Sequence, residues 1–503
     1  MNKIQIEESG VVYELDSFSQ TAVVCGSHDN LMSVVIQGQI KYNRRVYHVV
    51  EIGNQAFKNQ KNLTNITFPE CVRNISGKAF VNCTSLESII LPHNLKLIGD
   101  YAFSGCVNLI SLTIPTSLTK IGYLAFDNCN KIKIIHISSL EAWFRVEYDT
   151  KHGYGWSPFG ADYKLFLDDE EVTDLVVPNS IVSINNDAFN GCISLISVSF
   201  PHAIKEIGKY AFSSCNKLKK VLISDLKKWY SIRFGNIESN PLSFAHRLFV
   251  NGLEVQSLDI PNNITKIKPF IFAGMYNLKD IKMHNKLTEI GRDAFNGCTR
   301  LKSLDLPKSV KSIGDYAFCG CSNISLLVIP ESVRVIGMNA FSTIDNLKSV
   351  LLPKSLQIIG NNAFEGCKGL TSIIIPEGVS KIGREAFRDC GLITVIISKT
   401  VQTIGEGVFY GCDSLEHVFC MASTPPTICC YYEGVDKDLV AEKDYQKMCD
   451  DRDDLMMLEW MGYPDEIEED ETTRAILHVP ASSIGAYKSS SRWGNFFQEI
   501  VPL

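Results

Sequence analysis

The stretch LKSLDLPKSVKSIGDYAF, residues 301–318, decides the fold, because most of the chain is this stretch written again. The Phe of each Ala-Phe pair serves as an anchor. Phe57, Phe80, Phe103 and Phe126 stand 23 residues apart, as do Phe189 and Phe212. The longest run is Phe272, Phe295, Phe318, Phe341, Phe364 and Phe387, and Phe409 follows one residue short. A fixed period in this range marks a solenoid, a stack of rungs each one repeat long. Within a rung, Leu304 and Leu306 alternate as in a strand with one buried face. Pro307, which has no N–H to give to a ladder, closes that strand. The Gly after each Ile, as in Ile313-Gly314, is expected to take a left-handed backbone angle, which Asn185 tolerates in its place. Ser76 and Lys268 stand at the same place and suit that angle less well. One rung buries too few apolar side chains to offset the ordering of its own backbone. Only stacking on neighbours makes it stable, so the Ile, Leu, Val and Phe positions must build columns from rung to rung.

The pattern I-G-x-x-A-F-x-x-C-x-x-L-x-x-I-x-I-P, nearly complete at residues 98–115 and 359–376, resembles the BspA-type (Treponema-type) leucine-rich repeat. The resemblance covers about residues 50–420. It implies a curved leucine-rich repeat solenoid of about 15 rungs with terminal caps, a sheet on one face, and use as a surface adhesin or protein-binding scaffold.

The 503 residues carry a net charge of −7, with no basic stripe, so nucleic acid is not an expected partner. No apolar run reaches transmembrane length. The N-terminus, MNKIQIEESGVVYEL, has no apolar signal core, which reads as cytosolic. The family resemblance implies export instead, with a leader ahead of this sequence, and both readings stand. Ten of the 17 cysteines occupy one repeat position, among them Cys83, Cys298 and Cys412. Gln60, Met275 and Ile344 take that place in other rungs, so it reads as a small apolar core slot filled by free thiols. Zinc spacing is absent, and no metal, cofactor or catalytic residue is assigned.

In chain order, residues 1–50 read as an N-terminal β cap and residues 51–424 as the solenoid. Two rungs are expanded, at about 139–165 and 225–248. Their next anchors in register are Phe166 and Phe249, 40 and 37 residues after the preceding ones. Ser139-Leu140 through Trp143 and Asp225-Leu226 through Trp229 match each other and read as N-capped helical turns with an inward Trp. The first expansion also carries Tyr148, His152, Tyr154 and Trp156, with Gly153 and Gly155 between them. These read either as a variant in local curvature or as a protruding aromatic tip, with Tyr148, Tyr154 and Trp156 as ligand contacts. Residues 425–475 form an acidic insertion that ends in DEIEEDE, read as a solvated loop or as a dock for a basic partner or a cation. Residues 476–503 look like a C-terminal cap.

Along the strands, the outward positions form two columns. One is small and hydroxylic, through Ser303, Ser349 and Ser372. The other becomes apolar at Val328, Leu351, Ile374, Ile396 and Phe419. This row reads as a ligand face, with β-propensity or cover by the C-terminal segment as the competing explanation. The function expected is a non-enzymatic scaffold that binds a protein or glycan ligand, with an intracellular scaffold or regulator as the alternative.

Overall fold

Each rung contributes two short strands joined by tight turns, and each strand pairs in parallel with its equivalent one repeat away. Leu97–Ile98 lies between Asn74–Ile75 and Lys120–Ile121 in one ladder, and Ser111–Ile114 pairs with Ile134–Ile137 in the other. The computed structural model describes residues 4–149, 159, 162–429 and 473–503. The chain divides into two units, Met1–Leu253 and Glu254–Leu503, each a β-solenoid with its own core.

In the first unit, antiparallel strands Ile4–Glu8, Val11–Asp16 and Thr21–Ser27 lead into Arg45–Ile52, which starts the ladder that runs to Glu147–Tyr148. These strands cover the first rung, whose apolar face would otherwise be open. In the second unit an eight-stranded ladder runs from Lys266–Ile267 to Thr427–Cys429. Its companion ladder is broken: among the described residues, Ser257–Asp259 pairs only with Asp280–Lys282, and Leu326–Val328 only with Ser349–Leu351 and, by an isolated bridge, Leu304. It resumes as Ser372–Ile375, Thr394–Ile397, His417–Cys420, Thr473–Val479 and Phe497–Pro502.

The anchor phenylalanines stack ring on ring in both units. Phe57, Phe80, Phe103 and Phe126 follow at 5.1, 5.1 and 5.2 Å. Phe272 through Phe387 follow at 5.4–5.6 Å. All are fully buried or within 1% of it. The backbone around them is bonded from rung to rung as well: Tyr101 donates to the Tyr123 carbonyl, Phe103 to Ala125 and Gly105 to Asp127, at 2.7–2.9 Å. The Ala-Phe turn is thus a third hydrogen-bonded edge, which pairs backbone groups that burial would otherwise leave without water.

The repeated Gly does a different job from the one expected of it. The left-handed angle falls two residues later, at Tyr101, Asp187, Asp293, Tyr316, Asn339 and Glu385, with φ between 53° and 56°. The Gly itself has an ordinary angle, but a Cβ at Gly337 would stand 2.6 Å from the Asp315 nitrogen, and at Gly122 2.5 Å from the Gly99 carbonyl carbon. It is Gly because the neighbouring rung's backbone passes where a side chain would start. Asn185 occupies the position beside the expanded rung, and its amide donates to the Val146 carbonyl at 2.9 Å.

The repeated Cys is also more than a filler. Its thiol donates to the carbonyl of the preceding rung's Phe, as in Cys83 to Phe57 at 3.1 Å and Cys390 to Phe364 at 3.0 Å. Every described cysteine is free. Burial pushes the Cys83 and Cys412 thiols up to about 12, so they stay protonated donors.

Both expanded rungs carry the helical turns read from the sequence. Ser139 Oγ accepts from the Ala142 amide at 3.2 Å, and Asp225 Oδ1 from Lys227 at 2.8 Å. Trp143 and Trp229 are each 1% exposed, and Trp143 Nε1 donates to the Ala188 carbonyl at 3.1 Å. The anchors expected to follow are displaced. Phe166 sits on the strand Lys164–Leu167, paired with His136 and half-buried, and Phe249 sits likewise on Leu248–Val250. Phe159 continues the Phe126 column instead, at 5.6 Å, and Leu242, which matches it in the sequence of the second expanded rung, is fully buried.

Candidate ligand face

On a strand whose one side is packed into a core, every second side chain points away from it. In the second unit this alternation puts Leu327, Val350, Ile373, Val395 and Val418 inside and Val328, Leu351, Ile374, Ile396 and Phe419 on the outer face. Val328 is 47% exposed, Leu351 57% and Ile374 62%, while Ile396 and Phe419 are half-buried. Val328 is in register with Leu351, and Ile374 with Ile396 and then Phe419, so the row is contiguous within each ladder segment. Leu326 adds a further aliphatic surface at 52% exposure.

A groove of about 750 Å³ opens where this ladder is broken. Leu304, Leu306, Leu326, Val328, Leu351 and Pro353 line it, and Lys302, Asp305, Lys308 and Glu331 stand around it. Its floor is aliphatic and its charges are of both signs, with no aromatic ring among its lining residues. Clustered aliphatic exposure of this kind is uncommon on a surface that meets only water.

The C-terminal cap prolongs this face and does not lie over it. Thr473–Val479 pairs in parallel with His417–Cys420, placing His478 beside Phe419 with ring centroids 4.3 Å apart. His417 Nδ1 lies 3.1 Å from His478 Nε2. The cap is locked by Tyr487, whose hydroxyl donates to the Ala422 carbonyl at 3.1 Å, and by Trp493, whose indole donates to Pro426 at 2.9 Å.

The aromatic tip divides differently. Tyr154 and Trp156, like His152, lie outside the described residues, as does the acidic run of the insertion. Tyr148 is turned inward: it packs edge-on against Trp143 and Phe159, and its hydroxyl is buried. The strand Glu147–Tyr148 continues the ladder from Lys120–Ile121, so the alternation aims this ring at the core. Its hydroxyl is therefore directed away from solvent, although the residue as a whole is half-buried.

Near that ring lies a carboxylate that sequence reasoning missed. Asp187 is 1% exposed, and its Oδ1 accepts from Asn190 at 2.8 Å while Oδ2 has no hydrogen-bond partner. Burial pushes its pKa up to about 7, the Asn190 bond opposing and Glu238 assisting. Asp293, at the same turn position in the second unit, is raised only to about 6, with Arg292 Nε 3.2 Å from its Oδ2. Asn186 stands where Arg292 does, so the cation is missing in the first unit. The one readable signal was that residue difference.

Among the described residues, no group of three or more His, Cys, Asp or Glu side chains is placed to hold a metal ion. No described helix is long and apolar enough to cross a membrane.

The family model described as "BspA type Leucine rich repeat region" matches residues 48–143, 162–241, 242–367 and 335–425. No curated protein matches the chain. Among solved structures, a leucine-rich repeat protein of Bacteroides ovatus is 26% identical, covering 82% of this chain and 94% of its own, with a TM-score of 0.48. A leucine rich cell surface protein of Faecalibacterium prausnitzii is 23% identical over 84% of this chain and 95% of its own, with a TM-score of 0.46. The repeat match extends over well more than half of the residues, and with the stacked Phe and Cys columns it carries one conclusion: this chain belongs to the BspA type leucine-rich repeat family.

Proposed function

We propose that this protein is a non-enzymatic recognition scaffold of the adhesin type, acting at a cell surface, and that the outer face of its second unit takes a protein ligand. The observation that carries this reading is the run of exposed aliphatic side chains, Val328, Leu351 and Ile374, beside an aliphatic groove. Ile396 and Phe419 extend the face toward the cap. A polypeptide segment with apolar side chains suits this lining better than a sugar, whose rings pack on aromatic groups. The strands beneath are held by core columns and paired backbones, so the face loses little freedom on binding. The charges around the groove then set orientation more than strength.

The test is retention of a panel of extracellular-matrix proteins and glycans on the immobilised chain, comparing wild type with Leu351→Asp plus Ile374→Asp. Both positions are exposed, so the double variant folds, and it loses the ligands of this face. Retention of every wild-type ligand by the variant refutes the reading, and binding of glycans alone by the wild type replaces the protein ligand with a sugar. A second reading, an intracellular scaffold using the same face, is favoured by the free thiols of all described cysteines. Protease shaving of intact cells separates the two, since only a surface protein is cut.

A further inference from the structure

His417 and His478 belong to adjacent parallel strands, and the register that pairs Phe419 with His478 puts both imidazoles on the same face. They sit diagonally across the ladder, and their rings lean together until Nδ1 of His417 and Nε2 of His478 are 3.1 Å apart. Phe419 stacks on the His478 ring at an interplanar angle of 15°, which restrains it from turning away. Both side chains are partly open to solvent. A metal ion about 2.0 to 2.1 Å from each nitrogen would then see them at an angle of about 98°. That lies between the square-planar and tetrahedral angles, so the spacing suits two adjacent ligands of one ion.

We propose that His417 and His478 form a two-imidazole chelate for a divalent transition-metal ion of the zinc class, on the outer face of the second unit. Without metal, one ring must donate its N–H to the other's lone pair. With metal, the ion takes the place of that proton, and the donor ring carries its proton on its outer nitrogen instead. Both nitrogens then present lone pairs, the form in which imidazole binds Zn²⁺, Ni²⁺ or Cu²⁺. No third His, Cys, Asp or Glu joins the pair among the described residues. The ion therefore keeps open positions that face away from the sheet, available to water or to a donor group from another molecule. This site does not depend on the recognition reading, and its test uses the protein alone.

The experiment is isothermal titration of the full chain with ZnCl₂ at pH 7.5, alongside His417→Ala, His478→Ala and the gentler His478→Gln. Wild type is expected to take up one Zn²⁺ at a site that each substitution weakens at least about tenfold. Thermal unfolding with and without ZnCl₂ gives a second readout, with a rise in Tm expected for wild type only. The proposal is overturned if wild type takes up no Zn²⁺. It is equally overturned if all four proteins give the same isotherm, which would place the bound ion elsewhere.

Discussion

Replacing Asp187 with Asn should make the protein more stable at pH 8 and abolish part of its pH dependence. The folded protein holds this carboxyl at a pKa of about 7, against an ordinary value of 3.8, chiefly because burial leaves one oxygen without a partner. Between those two values the folded state binds a proton that the unfolded state has lost. Stability must therefore fall as pH rises from about 4 to about 7, and the loss is complete above that. A displacement of about three pH units corresponds to at most about 4 kcal/mol, at roughly 1.4 kcal/mol per unit. The charge also reaches the buried Tyr148 hydroxyl, whose pKa rises through its own burial and then through Asp187. Asn has nearly the same shape, does not titrate, and presents an amide where Oδ2 stood. Urea unfolding at pH 5, 6, 7 and 8 supplies the measurement. Wild-type stability should decline across this range relative to the variant, with the gap widening to a few kcal/mol at pH 8. Every other titratable group is common to the two proteins, so the difference isolates Asp187. Parallel curves for the two proteins would refute the reasoning, because they would mean that Asp187 is charged and paid for by partners at every pH tested.

Phe341→Ala, which empties a place in the stacked column between Phe318 and Phe364, should cost about 3 to 5 kcal/mol in chemical unfolding. Gly337→Ala should destabilise by about 1 to 3 kcal/mol, since its Cβ would meet the Asp315 nitrogen at 2.6 Å. Gly485→Ala, with open space around it in the helix Ile484–Ser489, should instead gain about 0.5 to 1 kcal/mol. The buried thiols, Cys83 and Cys412 among them, should resist alkylation at pH 8 in the folded protein and react fully in denaturant, read by mass spectrometry.

The period of 23 made the rungs, the core columns and the family legible in the sequence, because a column needs only equivalent residues at equal spacing. What it hid were features set by the third dimension. Spacing places Gly122 and Gly337 at a turn, but only the path of the adjacent backbone shows that close approach, and not a left-handed angle, excludes a side chain there. Tyr101, Asp187 and Glu385 hold the left-handed angle without any common side-chain type, so no residue pattern announces it. The expanded rungs broke the count itself: Phe159 fills the anchor column, while Phe166, in plausible register, is a strand residue. The apolar row from Val328 to Phe419 could be written down in advance because alternation along a strand is local. The meeting of His417 with His478, 61 residues apart, depends on which strand follows Cys420 in the ladder, and the intervening insertion conceals that.

The central claim is that the outer face of the second unit is where a ligand sits. Hydrogen–deuterium exchange of the full chain, free and bound to the protein ligand retained most strongly in the panel, tests it most directly. The account predicts slowed exchange concentrated in residues 303–306, 326–329, 349–352 and 372–375, with the ladder from Lys266–Ile267 to Thr427–Cys429 unchanged. Slowing confined to that second ladder, or to the first unit, would contradict it.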